Sequence, residues 1–143
     1  MNTAEAIKSL ASTDGFFRHW MAYEQRVALT QVLKGEEANF FTQMLTDLKA
    51  RIEAMPESYQ TDGQGDDAIV YLHYFRGSVD AWITEKDKGD GTDDLSQHQA
   101  FGLISLGGGR REAELGYISI QELIENGVEL DMYWEPKPLK ELA

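Results

Sequence analysis

Apolar residues along this chain follow two regimes of spacing, and the change comes near residue 68. Before it the spacing is helical. Residues 3–10 carry Ala, Ile and Leu at roughly helical intervals and predict a short first helix. Ser12, Thr13 and Asp14 offer side-chain oxygens to the free amides of a second helix. Over residues 15–34, Phe16, Phe17, Trp20, Met21, Val27, Ala28, Val32 and Leu33 make a wide apolar stripe. Gly35 is suited to the left-handed conformation that stops a helix. Glu36 and Glu37 then suit the positive end of a third. The pattern of that helix is the cleanest in the chain. Phe40, Phe41, Met44, Leu45, Leu48, Ile52 and Met55 share one face, and Asp47, Lys49, Arg51 and Glu53 lie mostly off it. Pro56 ends it. The short connection at Gly35 predicts two antiparallel helices.

Residues 57–67 hold Tyr59, two glycines and acids, and read as a loop. Beyond them the spacing is that of strands. Residues 68–75 are rich in β-branched and aromatic side chains, and Arg76-Gly77-Ser78 forms a tight turn. Residues 79–85 alternate, with Val79, Ala81 and Ile83 on one face and Asp80, Trp82 and Thr84 on the other. A charged loop follows over 87–94, then strands at 101–106 and 115–118 separated by Gly107-Gly108-Gly109. Ser119 and Glu122 fit a capping box for a short helix that closes at Gly127. Residues 128–134 alternate again as a last strand, and Pro136 and Pro138 mark an extended tail. Successive strands with short turns, and helices gathered at one end, predict an α+β fold. Its N-terminal antiparallel helices would pack on a mainly antiparallel sheet of about five strands, with one short helix before the last. We read residues 1–143 as one domain, with a helical segment over residues 1–56, a loop over 57–67 and a sheet segment over 68–143.

Composition narrows the function classes. With 42% hydrophobic and 27% charged residues, the chain is expected to fold as a globular protein. No apolar run approaches the length of a membrane span, and residues 1–8 lack a basic region followed by an apolar run, so cytoplasm is the expected compartment. The absence of cysteine excludes disulfides, thiolate catalysis and Cys-based zinc sites. The net charge of −12 is uneven: −1 over residues 1–56, −7 over 57–109 and −4 over 110–143. Such a surface disfavours direct binding to nucleic acid phosphates and favours a basic partner or cations.

From residue 81 onward, several short blocks follow one another in a distinctive order. They are Ala81-Trp82-Ile83-Thr84-Glu85-Lys86-Asp87, Phe101-Gly102-Leu103 with Leu106-Gly107, Glu114-Leu115-Gly116-Tyr117-Ile118-Ser119 with Glu122-Leu123, and Glu129-Leu130-Asp131 with Trp134 and Pro136. In this order they resemble a small bacterial family of unknown function carried mainly on plasmids, integrative elements and phages. The resemblance spans residues 81–138; the helices of 1–56 lie outside it, and the loop at 90–98 is longer here. It implies a fold and a genomic setting, and it brings no catalytic residue with it.

The remaining chemistry-bearing residues form no recognised motif. His19, His73 and His98 fall on a helix, a strand and a loop, with no partner at ligand spacing. Asp87, Asp90, Asp93 and Asp94 supply hard oxygen ligands on a flexible loop, but glycines stand where an EF-hand needs ligands and no Glu closes the loop. Gly107-Gly108-Gly109-Arg110-Arg111 lacks both phosphate-loop fingerprints and reads as a turn, with Arg110 and Arg111 set to pair with Glu112 and Glu114. Tyr71, Tyr74, Trp82, Tyr117, Tyr133 and Trp134 make the sheet aromatic, either as core on both faces or as an open partner surface.

Two function classes follow. The first is a non-catalytic acidic binding protein of a mobile genetic element, an accessory or anti-defence factor that imitates nucleic acid charge toward a basic host protein. Its expected contact residues are Asp62, Asp66, Asp67, Asp80, Glu85, Asp87, Asp90, Asp93 and Asp94. It calls for no cofactor, metal or catalytic residue, and for no direct contact with nucleic acid or membrane. The alternative is a small hydrolase or metal-dependent enzyme in which carboxylates converge on His73 or His98. A homodimer through the helix pair or an open sheet edge is compatible with the first class.

Overall fold

The computed structural model describes residues 1–142, and the helical spacing of its first third forms three α-helices. α1 (Thr3–Ala11) starts on Asn2, whose side chain accepts the Glu5 amide at 2.8 Å while the Glu5 carboxylate accepts the Asn2 amide at 3.1 Å. This reciprocal pair satisfies two amides that a helix start leaves free. α2 (Tyr23–Val32) and α3 (Ala38–Glu53) run antiparallel.

The second helix is shorter than its stripe predicted. Residues Phe16–His19 form a single 3₁₀ turn, and α2 begins only at Tyr23, on an Ala22 that offers no side-chain cap. Two causes act together. Gly15 lies so close to the end of α1 that a Cβ there would stand 2.5 Å from the Ser9 carbonyl oxygen. Beyond it Phe17, Trp20, Met21 and Ala22 are all buried, which no single face of a straight helix could achieve. Ser12 correspondingly ends α1 rather than starting α2, and its hydroxyl binds the Asp14 carboxylate. Gly35 stays out of the left-handed region; its amide donates to the Val32 carbonyl at 3.0 Å in an ordinary turn. On α3 the buried face is Thr42, Leu45, Leu48 and Ile52, while Phe40, at the start of the helix, is 56% exposed.

The five-stranded sheet has the order β5-β4-β3-β2-β6, antiparallel throughout: β2 (Leu72–Arg76), β3 (Val79–Glu85), β4 (Ala100–Ser105), β5 (Glu114–Ile118) and β6 (Glu129–Leu130). A separate two-stranded ribbon pairs β1 (Ile69–Val70) with β7 (Lys137–Pro138). The run 68–75 therefore serves two sheets, with the break at Tyr71. The last strand is also shorter than predicted. After Leu130 the Asp131 amide still reaches the His73 carbonyl at 2.8 Å, but the Asp131 carboxylate then takes the Tyr133 amide at 2.9 Å and turns the chain across the sheet. Ser119 caps α4 (Ile120–Glu125) by accepting the Glu122 amide at 3.1 Å, and Gly127, at φ +73°, ends it.

Alternation assigns the faces. Leu72, Tyr74, Ala81, Ile83, Ile118 and Leu130 point inward and share one core with Leu10, Phe17, Met21, Leu45 and Ile52 of the helical segment. Tyr74 is fully buried and donates its hydroxyl to the Trp20 carbonyl at 2.6 Å; burial pushes its phenol pKa up. On the other face Trp82 and Leu103 are covered by Ala68, Val70 and Leu139 of the ribbon and tail. The sheet is thus packed on both faces at its centre, and its β5 side carries the exposed Leu115 and Tyr117. Among the described residues, no helix is long and apolar enough to cross a membrane.

Candidate functional site

Two loops meet beyond the end of β3, and Glu85 joins them. Its carboxylate is 4% exposed and accepts the amides of Tyr59 and Thr61, each at 2.9 Å, and the Thr61 hydroxyl. A buried carboxylate needs such donors to replace its lost hydration. Close by, the Lys86 amide reaches the Pro56 carbonyl at 2.9 Å and the Lys88 amide the Ser58 hydroxyl at 3.4 Å. Glu85 therefore belongs to the loop's scaffold and is withdrawn from the acidic surface expected of it.

Asp87 is also a fastener, accepting the amides of Gly89 at 2.7 Å and Gln99 at 3.1 Å. Asp90 takes the amide and hydroxyl of Thr92 at 3.0 and 2.6 Å, and Asp94 takes the Ser96 amide at 2.9 Å. These bonds favour the charged form, so both acids are held below the usual carboxylate range, Asp90 chiefly by the Thr92 side chain and Asp94 chiefly by the Ser96 amide. Among the described residues no three His, Asp or Glu side chains gather as a metal site. Asp87, Asp90 and Asp94 turn onto the loop's own backbone instead.

Asp62, Asp66, Asp90, Asp93 and Asp94 are exposed on these two loops. The lysines beside them are engaged elsewhere. The Lys86 ammonium donates to the Ile52 and Glu53 carbonyls at the end of α3, each at 3.0 Å, and Lys88 lies over the Tyr59 ring at 5.6 Å. Asp67 differs, being paired with Lys140 at 2.7 Å. A groove of about 400 Å³ runs beside the second loop, with Phe16, Trp20, Ile52 and Leu95 among its apolar walls and Asp14, Glu53, Asp87 and Asp94 among its charged ones. His19 also lines it; burial, then the neighbouring Arg18, lowers its pKa.

Asp80 stands apart, near the start of β3, in a cluster that composition and spacing did not reveal. His73 Nε2 lies 2.8 Å from Asp80 Oδ1 and Nδ1 lies 3.1 Å from Asp131 Oδ2. Its ring stacks on Trp82 and Phe75 at 5.6 and 5.8 Å, and Trp134 tilts against it at 5.2 Å. The tight turn at Gly77-Ser78 pairs Phe75 with Asp80, which sets His73 and Asp80 diagonally on the outer face. That half was legible from the hairpin. Asp131, 58 residues from His73, was not. With both nitrogens facing carboxylates, the ring has no free nitrogen for a nucleophile or substrate. His98 stays on the exposed loop, 3.8 Å from Asp94.

Arg110 and Arg111 do not form the expected pairs with Glu112 and Glu114 or any other ion pair among the described residues. They sit in the 3₁₀ turn that leads into β5. Comparison of the chain with protein-family models, with curated proteins and with solved structures finds no match in any of the three.

Proposed function

We propose that this chain is a non-catalytic acidic binding protein whose loops beyond β3 engage a basic surface. The observation that carries the reading is the exposure of Asp62, Asp66, Asp90, Asp93 and Asp94 on two adjoining loops whose own lysines are turned to other partners. Asp90 and Asp94 are fixed by bonds within their own loop, and a fixed cluster of carboxylates presents a field that attracts and orients basic partners. The apolar side of the neighbouring groove, at Phe16, Trp20 and Leu95, offers room for an anchoring side chain.

Taken with the resemblance of residues 81–138 to a family of plasmids, phages and integrative elements, the concrete form is a cytoplasmic accessory or anti-defence factor. Its carboxylates would stand in for phosphates in the groove of a host nucleic-acid-binding or defence protein. The enzymatic alternative loses its best base to the Asp80–His73–Asp131 arrangement, in which both ring nitrogens are occupied.

The test is affinity capture from a bacterial host lysate with the wild type and with a D62N/D66N/D90N/D93N/D94N variant, washed at about 50 and then about 500 mM salt. The expected result is a basic protein that the wild type retains at low salt and releases at high salt, and that the variant does not retain. Equal capture by both proteins, or capture indifferent to salt, would refute the reading.

A further inference from the structure

The two edges of the five-stranded sheet are finished differently. At β6 the side-chain amide of Gln25 accepts the Leu130 amide at 2.9 Å and donates to the Leu130 carbonyl at 2.8 Å, as a neighbouring strand would. At β5 no such cover exists: among the described residues its strand pairing is with β4 alone. An open edge of extended residues is a template for another strand. Glu114–Ile118 contains no proline or lysine, its pairing with β4 has no bulge, and its one charge is at the first position. These are the devices that normally guard an edge, and they are missing here.

After Glu114 the side chains of this edge are apolar, two arginines and Glu112 precede it, and acids stand beyond its far end. Leu115 and Tyr117 are 57 and 54% exposed, and Leu106 and Tyr59 extend the patch at 76 and 57%. Tyr59 and Tyr117 join hydroxyls at 2.7 Å. Before the strand come the unpaired Arg110 and Arg111. At its far end stand Asp62, whose amide donates to the carbonyl of the Tyr59 that reaches Tyr117, and Glu122 in the first turn of α4.

We propose that β5 pairs antiparallel with β5 of a second copy about a twofold axis at Gly116, joining the two sheets into one. In that register Gly116 faces Gly116, Leu115 faces the partner's Tyr117 on both sides of the axis, and Glu114 faces the partner's Ile118, so no like charges meet. A Cβ at Gly116 would find no atom within 4 Å, so the sheet face beside the twofold axis is open. The antiparallel direction carries Arg110 and Arg111 toward the partner's Asp62 and Glu122. An unrelated strand could satisfy the backbone equally well. A second copy matches apolar to apolar residues and also brings the two arginines toward acids on both sides of the axis. The proposal rests on the sheet edge; it shares Asp62 with the acidic loops, while Leu115, Arg110 and Arg111 lie outside them, so their variants test the edge alone.

The experiment is sedimentation velocity of the full chain across about 1–100 μM, with four variants checked for folding by circular dichroism. Leu115→Lys changes an exposed side chain and guards the edge. R110E/R111E and D62R/E122R each place like charges together, and the combined four-site variant restores opposite signs. We expect a dimer for the wild type, dissociation constants raised about tenfold or more by L115K and by each charge pair, and recovery in the combined variant. A wild type that stays monomeric throughout overturns the proposal. So does a dimer indifferent to L115K, or a combined variant no tighter than its parents.

Discussion

Replacing Glu85 by Gln tests whether a buried carboxylate organises the loops beyond β3. The side chain accepts three donors from Tyr59 and Thr61 and has no cationic partner among the described residues. Glutamine keeps the shape and turns one oxygen into a donor. Whichever way the amide is set, one of the two backbone N–H groups then faces an N–H. Leaving a buried donor unsatisfied costs roughly 1–3 kcal/mol, and the bonds that survive lose their charge assistance. Removing the buried charge also lowers its desolvation cost, which acts the other way. The net expectation is a loss of about 2 kcal/mol, a substantial share of the roughly 5–15 kcal/mol that holds a domain of this kind together. Tyr59 sharpens the case, because it is held at φ +73°, a conformation that a bulky side chain avoids. Without its anchor at Glu85 this residue should relax and release its bond to Tyr117. Urea unfolding followed by tryptophan fluorescence gives the stability change, and amide hydrogen exchange at Tyr59 and Thr61 shows whether it is local. A loss below about 0.5 kcal/mol with exchange unchanged would refute the reasoning.

Two further outcomes are expected. His73→Ala removes two bonds to carboxylates and the ring packed against Trp82, Phe75 and Trp134; thermal or urea unfolding should show a loss of about 3 kcal/mol, and His73→Ala as stable as the wild type would mean the cluster is ornamental. His19 has its pKa lowered by burial and then by Arg18, so as pH falls the unfolded chain takes up the proton first, and the stability present above an unfolded pKa of about 6.5 is lost below it. His19→Gln should flatten the fall of the urea midpoint between about pH 7.5 and 5; an unchanged slope would assign that fall to other groups.

What local pattern determined is plain at β3. Its alternation marked residues 79–85, and the strand runs Val79–Glu85. Equally local were the turn at Gly77, the cap at Ser119, the stop at Gly127 and the α+β class, because each depends on neighbours a few residues away. The Asn2–Glu5 capping box carried the same kind of signal, an Asn-x-x-Glu spacing. Tertiary contact decided the rest. Residues 16–22 carry the apolar content of a helix, yet the core surrounds them and Gly15 is pressed against α1, so the stripe breaks into a 3₁₀ turn and a bend. The acids of 57–94 form one run of charge in sequence and split in space. Glu85 is drawn inside by Tyr59 and Thr61, Asp80 goes to His73 at the other end of the strand, and Asp67 to Lys140, 73 residues away. Composition counts charges but is blind to the donors that long-range folding brings to them. The same holds for the sheet edges: nothing near Leu130 or Tyr117 in the chain shows that Gln25 closes one edge and that the other is left open. Hydrophobic periodicity is a property of adjacent residues, whereas which backbone groups go unpaired depends on the whole assembled sheet.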